Sequence, residues 1–204
     1  MGERLVATPD SSENEPMRID SESSGDPARH PTTAGLDGAL AALPPAPADL
    51  GRVVHVVTRR DGGRREAPAR IGLSPDGGVD GDSWGRRADR RPEAQVTVMQ
   101  AGFALMIANG QPLELFGDNL FLDLDISAAN LPPGSQVEIG EVLLEVTPLP
   151  HNGCRKFQAR FGADALRFVQ DPGRRSLNMR GIHVRVLRGG EVGTGDEARV
   201  VCRG

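Results

Sequence analysis

From residue 50 onward, short apolar runs alternate with breaks rich in Gly, Pro and Asp, the rhythm of strands joined by turns. Arg52-Val53-Val54-His55-Val56-Val57-Thr58 opens the series, and Arg59 to Gly63 reads as the turn that follows it. Gln95-Val96-Thr97-Val98-Met99, Gln136-Val137-Glu138-Ile139 and Val142-Leu143-Leu144-Glu145-Val146 repeat the pattern, as do residues 119–124 and 182–187. Gly140-Glu141 separates two of these runs and predicts a tight hairpin, and Gly189-Gly190 predicts another. Helical spacing is confined to residues 101–109 and to residues 155–170, the latter through Phe157, Phe161, Ala165 and Phe168. Many strands, few helices and no strand–helix–strand alternation predict a mainly β fold, a closed or half-closed barrel with a few flanking α-helices.

The pattern changes toward the N-terminus. Residues 1–31 are rich in Ser, Glu, Asp and Pro and poor in large apolar groups, which predicts a disordered acidic tail. Residues 32–49 read as a short helix capped at Thr33, with Leu36, Leu40 and Leu43 on one face, followed by a Pro/Ala linker. Residues 50–204 form the main domain. The net charge of −4 comes from the tail: seven acidic residues face three Arg in residues 1–30, whereas the rest of the chain balances 21 against 21. A neutral domain argues against nucleic acid as a partner, and the pairs Arg59-Arg60, Arg64-Arg65, Arg86-Arg87 and Arg90-Arg91 read mostly as solvated loop charge.

No apolar run approaches the ~20 residues that span a bilayer, and no secretory signal is readable, so a cytoplasmic protein without a membrane partner is expected. Two cysteines, Cys154 and Cys202, are expected as thiols, with Cys202 a small buried hydrophobe.

Candidate chemistry gathers around Cys154. It follows a strand, sits in a His151-Asn152-Gly153 turn and precedes Arg155, Lys156 and a helical pattern, all features that stabilise a thiolate. His151 reads as a base or hydrogen-bond partner of that thiol, or as a turn histidine facing solvent. His151 and Cys154 supply only half of a zinc site, which needs about four ligands. Lys156, the only lysine in the chain, offers a cation for an anionic group or an amine for a Schiff base, against the plainer reading of a solvated helix residue. Gly117-Asp118-Asn119-Leu120 places Asp118 and Asn119 at the rim of a turn. Asp80 and Asp82 lack the ligand series of a calcium loop.

In order, Gly78-Val79-Asp80-Gly81-Asp82, Gln95-Val96-Thr97, Gly117-Asp118-Asn119-Leu120, the hairpin at Val137 to Val146, Cys154 and Gly195-Asp196 resemble the MOSC family, over roughly residues 50–202. No single motif is decisive; the ordered set is. The resemblance implies a barrel-like fold in which Cys154 either ligates molybdenum in the pyranopterin (molybdopterin) cofactor or carries sulfur as a persulfide. It implies a small-molecule substrate, for which reduction of N-oxygenated compounds is one precedent, and a sulfur donor or external electron-donor protein as partner. On that reading Cys154 and His151 are catalytic, Cys154 is the metal ligand, and Asp82, Asp118, Asn119, Arg155 and Lys156 bind the cofactor. The chain departs from the family in carrying Asp118 where Glu is common, in lacking a basic pair after Gly81-Asp82, and in placing Gly153 where many members have proline. These departures leave a second reading, a non-catalytic module that holds an anionic ligand, and a third, a redox-sensing thiol.

Overall fold

The computed structural model describes residues 25–204. Helix α1 (Thr33–Ala42) leads into β1 (Leu50–Val56), a short ribbon of β2 (Thr58–Arg59) and β3 (Arg65–Glu66), and then β4 (Arg70–Ser74) and β5 (Gly78–Val79). Next come β6 (Val96–Gln100), α2 (Ala101–Ala108), β7 (Leu120–Asp123), and the pair β8 (Gln136–Ile139) and β9 (Val142–Val146). The chain ends with α3 (Arg155–Gln170), β10 (Ile182–Arg188), β11 (Gly190–Gly193) and β12 (Glu197–Cys202).

Seven strands close a barrel in the order β1-β12-β8-β9-β10-β6-β7, with β7 returning to β1. Every pair is antiparallel except β6 with β7, which run parallel because the intervening α2 carries the chain back to the starting end. β11, β4 and β5 form a separate three-stranded sheet. The barrel and flanking helices are the architecture that the alternating pattern predicts.

Two cores explain which residues alternate and which do not. Inside the barrel the packing is aliphatic, from Val53, Val98, Leu120, Leu122, Ile139, Leu144 and their neighbours. A second core lies between the helices and the outer face of β6 and β7, and it contains all six phenylalanines of the chain. Val98 and Leu120 face the barrel while Met99 and Phe121 face the aromatic layer, so both faces of these strands are buried and their sequences read as continuous apolar runs. Phe116 stacks on Phe161 at 4.1 Å, tying the segment before β7 to α3.

Four expectations are adjusted. The cap of α1 is Thr32 rather than Thr33, since the Thr32 hydroxyl accepts from the Gly35 amide at 3.1 Å. Thr32→Ala removes that acceptor, and a loss of about 1 kcal/mol in urea unfolding is expected. Residues 1–24 of the expected tail lie outside the described residues, whereas 25–31 are folded against the core, where the Asp26 amide donates to the Gln111 side chain at 2.6 Å. Gly189-Gly190 does not make a hairpin: β11 leaves β10 and pairs with β4, Gly190 opposite Leu73. Cys202 is exposed at the end of β12, and both cysteines are free. Among the described residues no helix is long and apolar enough to cross a membrane.

Candidate functional site

A pocket of about 200 Å³ opens where the β2–β3 ribbon, the turn before β7, the start of α3 and the turn before β10 converge. The ribbon sets the first two cations. Its register pairs Arg59 with Arg65, so both guanidiniums leave the same face. Arg65 is buried, and its pKa is lowered to about 10, first by burial and then by the Arg160 and Arg59 charges. Arg160, from the first turns of α3, is buried as well; it donates to the Leu115 carbonyl at 2.9 Å, and burial lowers its pKa. Lys156 and Arg180 complete the cationic wall. Arg59 and Arg65, which read as solvated loop charge in the sequence, are therefore pocket residues, because the two-residue strands fold the loop back over the site.

Asp118 is the carboxylate in this wall and is 1% exposed. One oxygen accepts from Arg180 Nη1 at 2.5 Å, and the Arg180 guanidinium lies 5.3 Å over the Phe157 ring. The other, Oδ1, has no hydrogen-bond partner and faces His151 Nδ1 at 3.5 Å, beyond ordinary hydrogen-bond range. His151 Nδ1 and Arg180 Nε are likewise buried without partners. His151 packs on His183 with ring centroids 4.4 Å apart. Burial, followed by the Arg180 and His183 charges, holds His151 well below the ordinary histidine pKa, and burial lowers His183 too. Two glycines permit this closeness: a Cβ on Gly117, at φ 73°, would lie 3.0 Å from Arg65 Nε, and one on Gly181, at φ 101°, would meet the Val98 carbonyl at 2.4 Å.

Cys154 is the N-cap of α3, exposed, with no side-chain capping bond, and it lines the same pocket. The structure thus brings together Cys154, His151, Asp118 and Lys156. Arg155 is exposed and does not line the pocket.

Asp82 and Asn119 stand behind the wall as a buried frame. The Asn119 carbonyl accepts from the Thr97 amide, the Thr97 hydroxyl and Arg59 Nη2, and its amide donates to the Val57 carbonyl and to Asp82. Asp82 takes the Arg59 guanidinium on both oxygens and accepts from the Trp84 and Arg59 amides at 2.8 Å each. Burial opposes its ionisation most strongly, but the Arg59 charge and these hydrogen bonds together hold the carboxyl below its ordinary range. Asn119, fully buried and with both amide atoms engaged, positions Arg59 instead of presenting itself at a rim. Arg59, Arg65, Arg160 and Arg180 were not legible as site residues in the sequence; a long-range fold brings them together, and local spacing carries no trace of it.

Among the described residues no group of three or more His, Cys, Asp or Glu is placed to hold a metal ion, so the half-site of His151 and Cys154 gains no further ligands. Solved structures share the fold. A crystal structure titled as a hypothetical protein superposes with a TM-score of 0.56 at 21% identity, covering 76% of this chain and 68% of that one. The YuaD protein from Bacillus subtilis gives 0.56 at 15% identity, with 74% and 95% covered. YiiM from Escherichia coli gives 0.52 at 22%, with 75% and 71% covered. No curated protein matches the sequence. The profile described as the MOSC domain matches residues 85–199, more than half of the chain, and this stretch contains Asp118, His151, Cys154 and Arg180: the chain belongs to the MOSC domain family.

Proposed function

We propose that the pocket holds the anionic, metal-bearing end of the molybdenum cofactor, with Cys154 as a protein ligand to the metal. The observation that carries this reading is a free, exposed thiol opening into a pocket walled by five cations and one carboxylate. Arg59 and Arg65 lie directly opposite each other, and although Asp82 already takes the Arg59 guanidinium, the pair concentrates positive charge at the pocket wall. The unpartnered atoms of Asp118, His151 and Arg180 fit a polar group entering between them. Since among the described residues His, Cys, Asp and Glu do not gather into a metal cluster, a metal at Cys154 would arrive with ligands of its own, as it does in a pterin dithiolene.

Arg59, Arg65, Arg160 and Lys156 would neutralise the bound group, and Arg180, clamped by Asp118 and stacked on Phe157, would fix its orientation. His151, held neutral by its surroundings, can accept a proton at the pocket wall. When bound, the cofactor supplies two-electron redox chemistry suited to reducing N-oxygenated compounds, with electrons from an external donor protein.

Metal and pterin analysis of protein made in a cofactor-competent host tests this reading. Wild type is expected to carry both, and Cys154→Ser to lose the molybdenum. Wild type persistently free of molybdenum and pterin removes the reading. A mass increment of about 32 Da on Cys154 after sulfur loading would instead assign persulfide carriage, to which the same exposed thiol is suited.

A further inference from the structure

We infer that a second cleft, joined to the Cys154 pocket through a shared wall, is the substrate subsite, and that it takes an uncharged or anionic small molecule with an apolar body. The inference rests on the reading of the Cys154 pocket as the reaction centre. The cleft measures about 920 Å³ and lies between residues 147–152, the last turn of α3 and residues 172–182. That volume falls in the ~300–1,000 Å³ range of sites for organic ligands, whereas the Cys154 pocket is smaller and suits a compact group. His151 and Arg180 line both spaces. A molecule seated in the cleft therefore meets the two side chains that also wall the thiol.

The lining sets the chemical class. Pro148, Leu149, Pro150, Val169 and Met179 give apolar walls for a flat or aliphatic body. Among the described residues no Asp, Glu or Lys lines the cleft, and the charged residues that do are Arg175 and Arg180. Arg180 is engaged by Asp118, while Arg175 is exposed and makes no ion pair among the described residues. A cation would find no counter-charge here; a carboxylate would find Arg175. A second observation points to an occupant: His151 Nδ1 and Arg180 Nε, on the shared wall, are buried polar atoms without partners, and such atoms ordinarily meet a ligand or water.

Calorimetric titration of the purified full chain with 2-naphthoate, 2-naphthamide and 2-naphthamidine tests the assignment, since the three differ in charge on one apolar body. The carboxylate is expected to bind most tightly, the amide more weakly and the amidine not at all. Arg175→Ala should weaken the carboxylate about fivefold, the effect of an exposed ion pair, and leave the amide unchanged. Ala128 is exposed on the cleft wall, so Ala128→Trp should fill the cleft without disturbing the core and abolish binding of both. Lys156→Ala, which alters only the Cys154 pocket, should leave naphthoate affinity unchanged. Equal binding of the amidine, no binding of any probe, or binding indifferent to Ala128→Trp overturns the inference. Protein that carries molybdenum yet binds no probe refutes the subsite alone, and protein that binds naphthoate in the cleft yet never acquires molybdenum refutes the cofactor reading alone.

Discussion

Asp118→Ala is expected to lower the free energy of unfolding by about 3–5 kcal/mol, the penalty for stranding one partner of a buried ion pair. The Asp118 side chain is 1% exposed and that of Arg180 10%, and they meet at 2.5 Å. Removing the carboxylate leaves the Arg180 guanidinium inside a pocket that already holds Arg59, Arg65 and Arg160, with no other carboxylate in the wall. Urea unfolding of wild type and variant gives the difference directly. Asp118→Ala combined with Arg180→Met should recover much of the loss, because the second change removes the stranded charge and keeps an apolar side chain beside Phe157. A loss below about 1 kcal/mol for the single variant would mean that water screens the pair as it does at a surface. The same experiment in the presence of inorganic phosphate bears on the anion reading. A ligand at a hundredfold excess over its dissociation constant stabilises by about 2.7 kcal/mol, and an Asp118→Ala pocket, more cationic than wild type, should respond to phosphate at lower concentration.

What could be read from the sequence was set by local chemistry. The β8–β9 hairpin matches the expected residues at both strands because four and five alternating positions flank Gly140, whose φ of 58° supplies the turn. α3 likewise runs from Arg155 to Gln170 as its aromatic spacing predicts, although Gly162, at φ 91°, interrupts the helix where His30 packs. The parallel pairing of β6 with β7 was not legible, since it depends on α2 turning the chain across the barrel and not on either strand's composition. Nor was the pairing of β11 with β4, which joins residues more than a hundred positions apart. For the site, Cys154, His151 and Lys156 could be singled out because they crowd into one short segment. The charges that surround them could not: Arg59 and Arg65 come from a loop, Arg160 from the second turn of a helix, and Arg180 from the turn before a strand. Each looks like ordinary surface arginine until barrel closure brings the four together. Asn119 shows the converse, a turn-type residue whose neighbours draw it wholly inside as the hinge between Arg59, Asp82 and Thr97.

Stability is expected to fall as pH drops from 7 toward 5, with His151 as the main cause. His151 is held well below its ordinary value of 6.5, and His183 is lowered as well. In the unfolded chain both take up a proton as pH drops through 6.5, whereas in the folded protein the lowered pKa delays protonation of His151 to lower pH. The unfolded state therefore binds more protons in this window, and stability rises with pH across it and is lost as pH falls. A single such group changes stability by at most about 1.4 kcal/mol per pH unit, which is the upper bound on the share of the slope that belongs to His151. Asp82 and Glu114 do not blur the effect: their folded pKa values are lowered, so their contributions are fully present above the ordinary carboxylate range and are lost only under more acidic conditions. The groups facing His151 act in the same sense, since Arg180, His183 and Arg59 oppose a second positive charge and the nearby Asp118 is already engaged by Arg180. Urea unfolding at half-unit steps from pH 7.5 to 5 measures the slope. His151→Phe keeps a flat ring against His183 and cannot titrate, so its curve should be flatter by about 1 kcal/mol per pH unit, with the residual slope belonging to His183. An unchanged slope in that variant would show that His151 binds protons equally in the folded and unfolded chain, which would remove it as the source of the pH dependence.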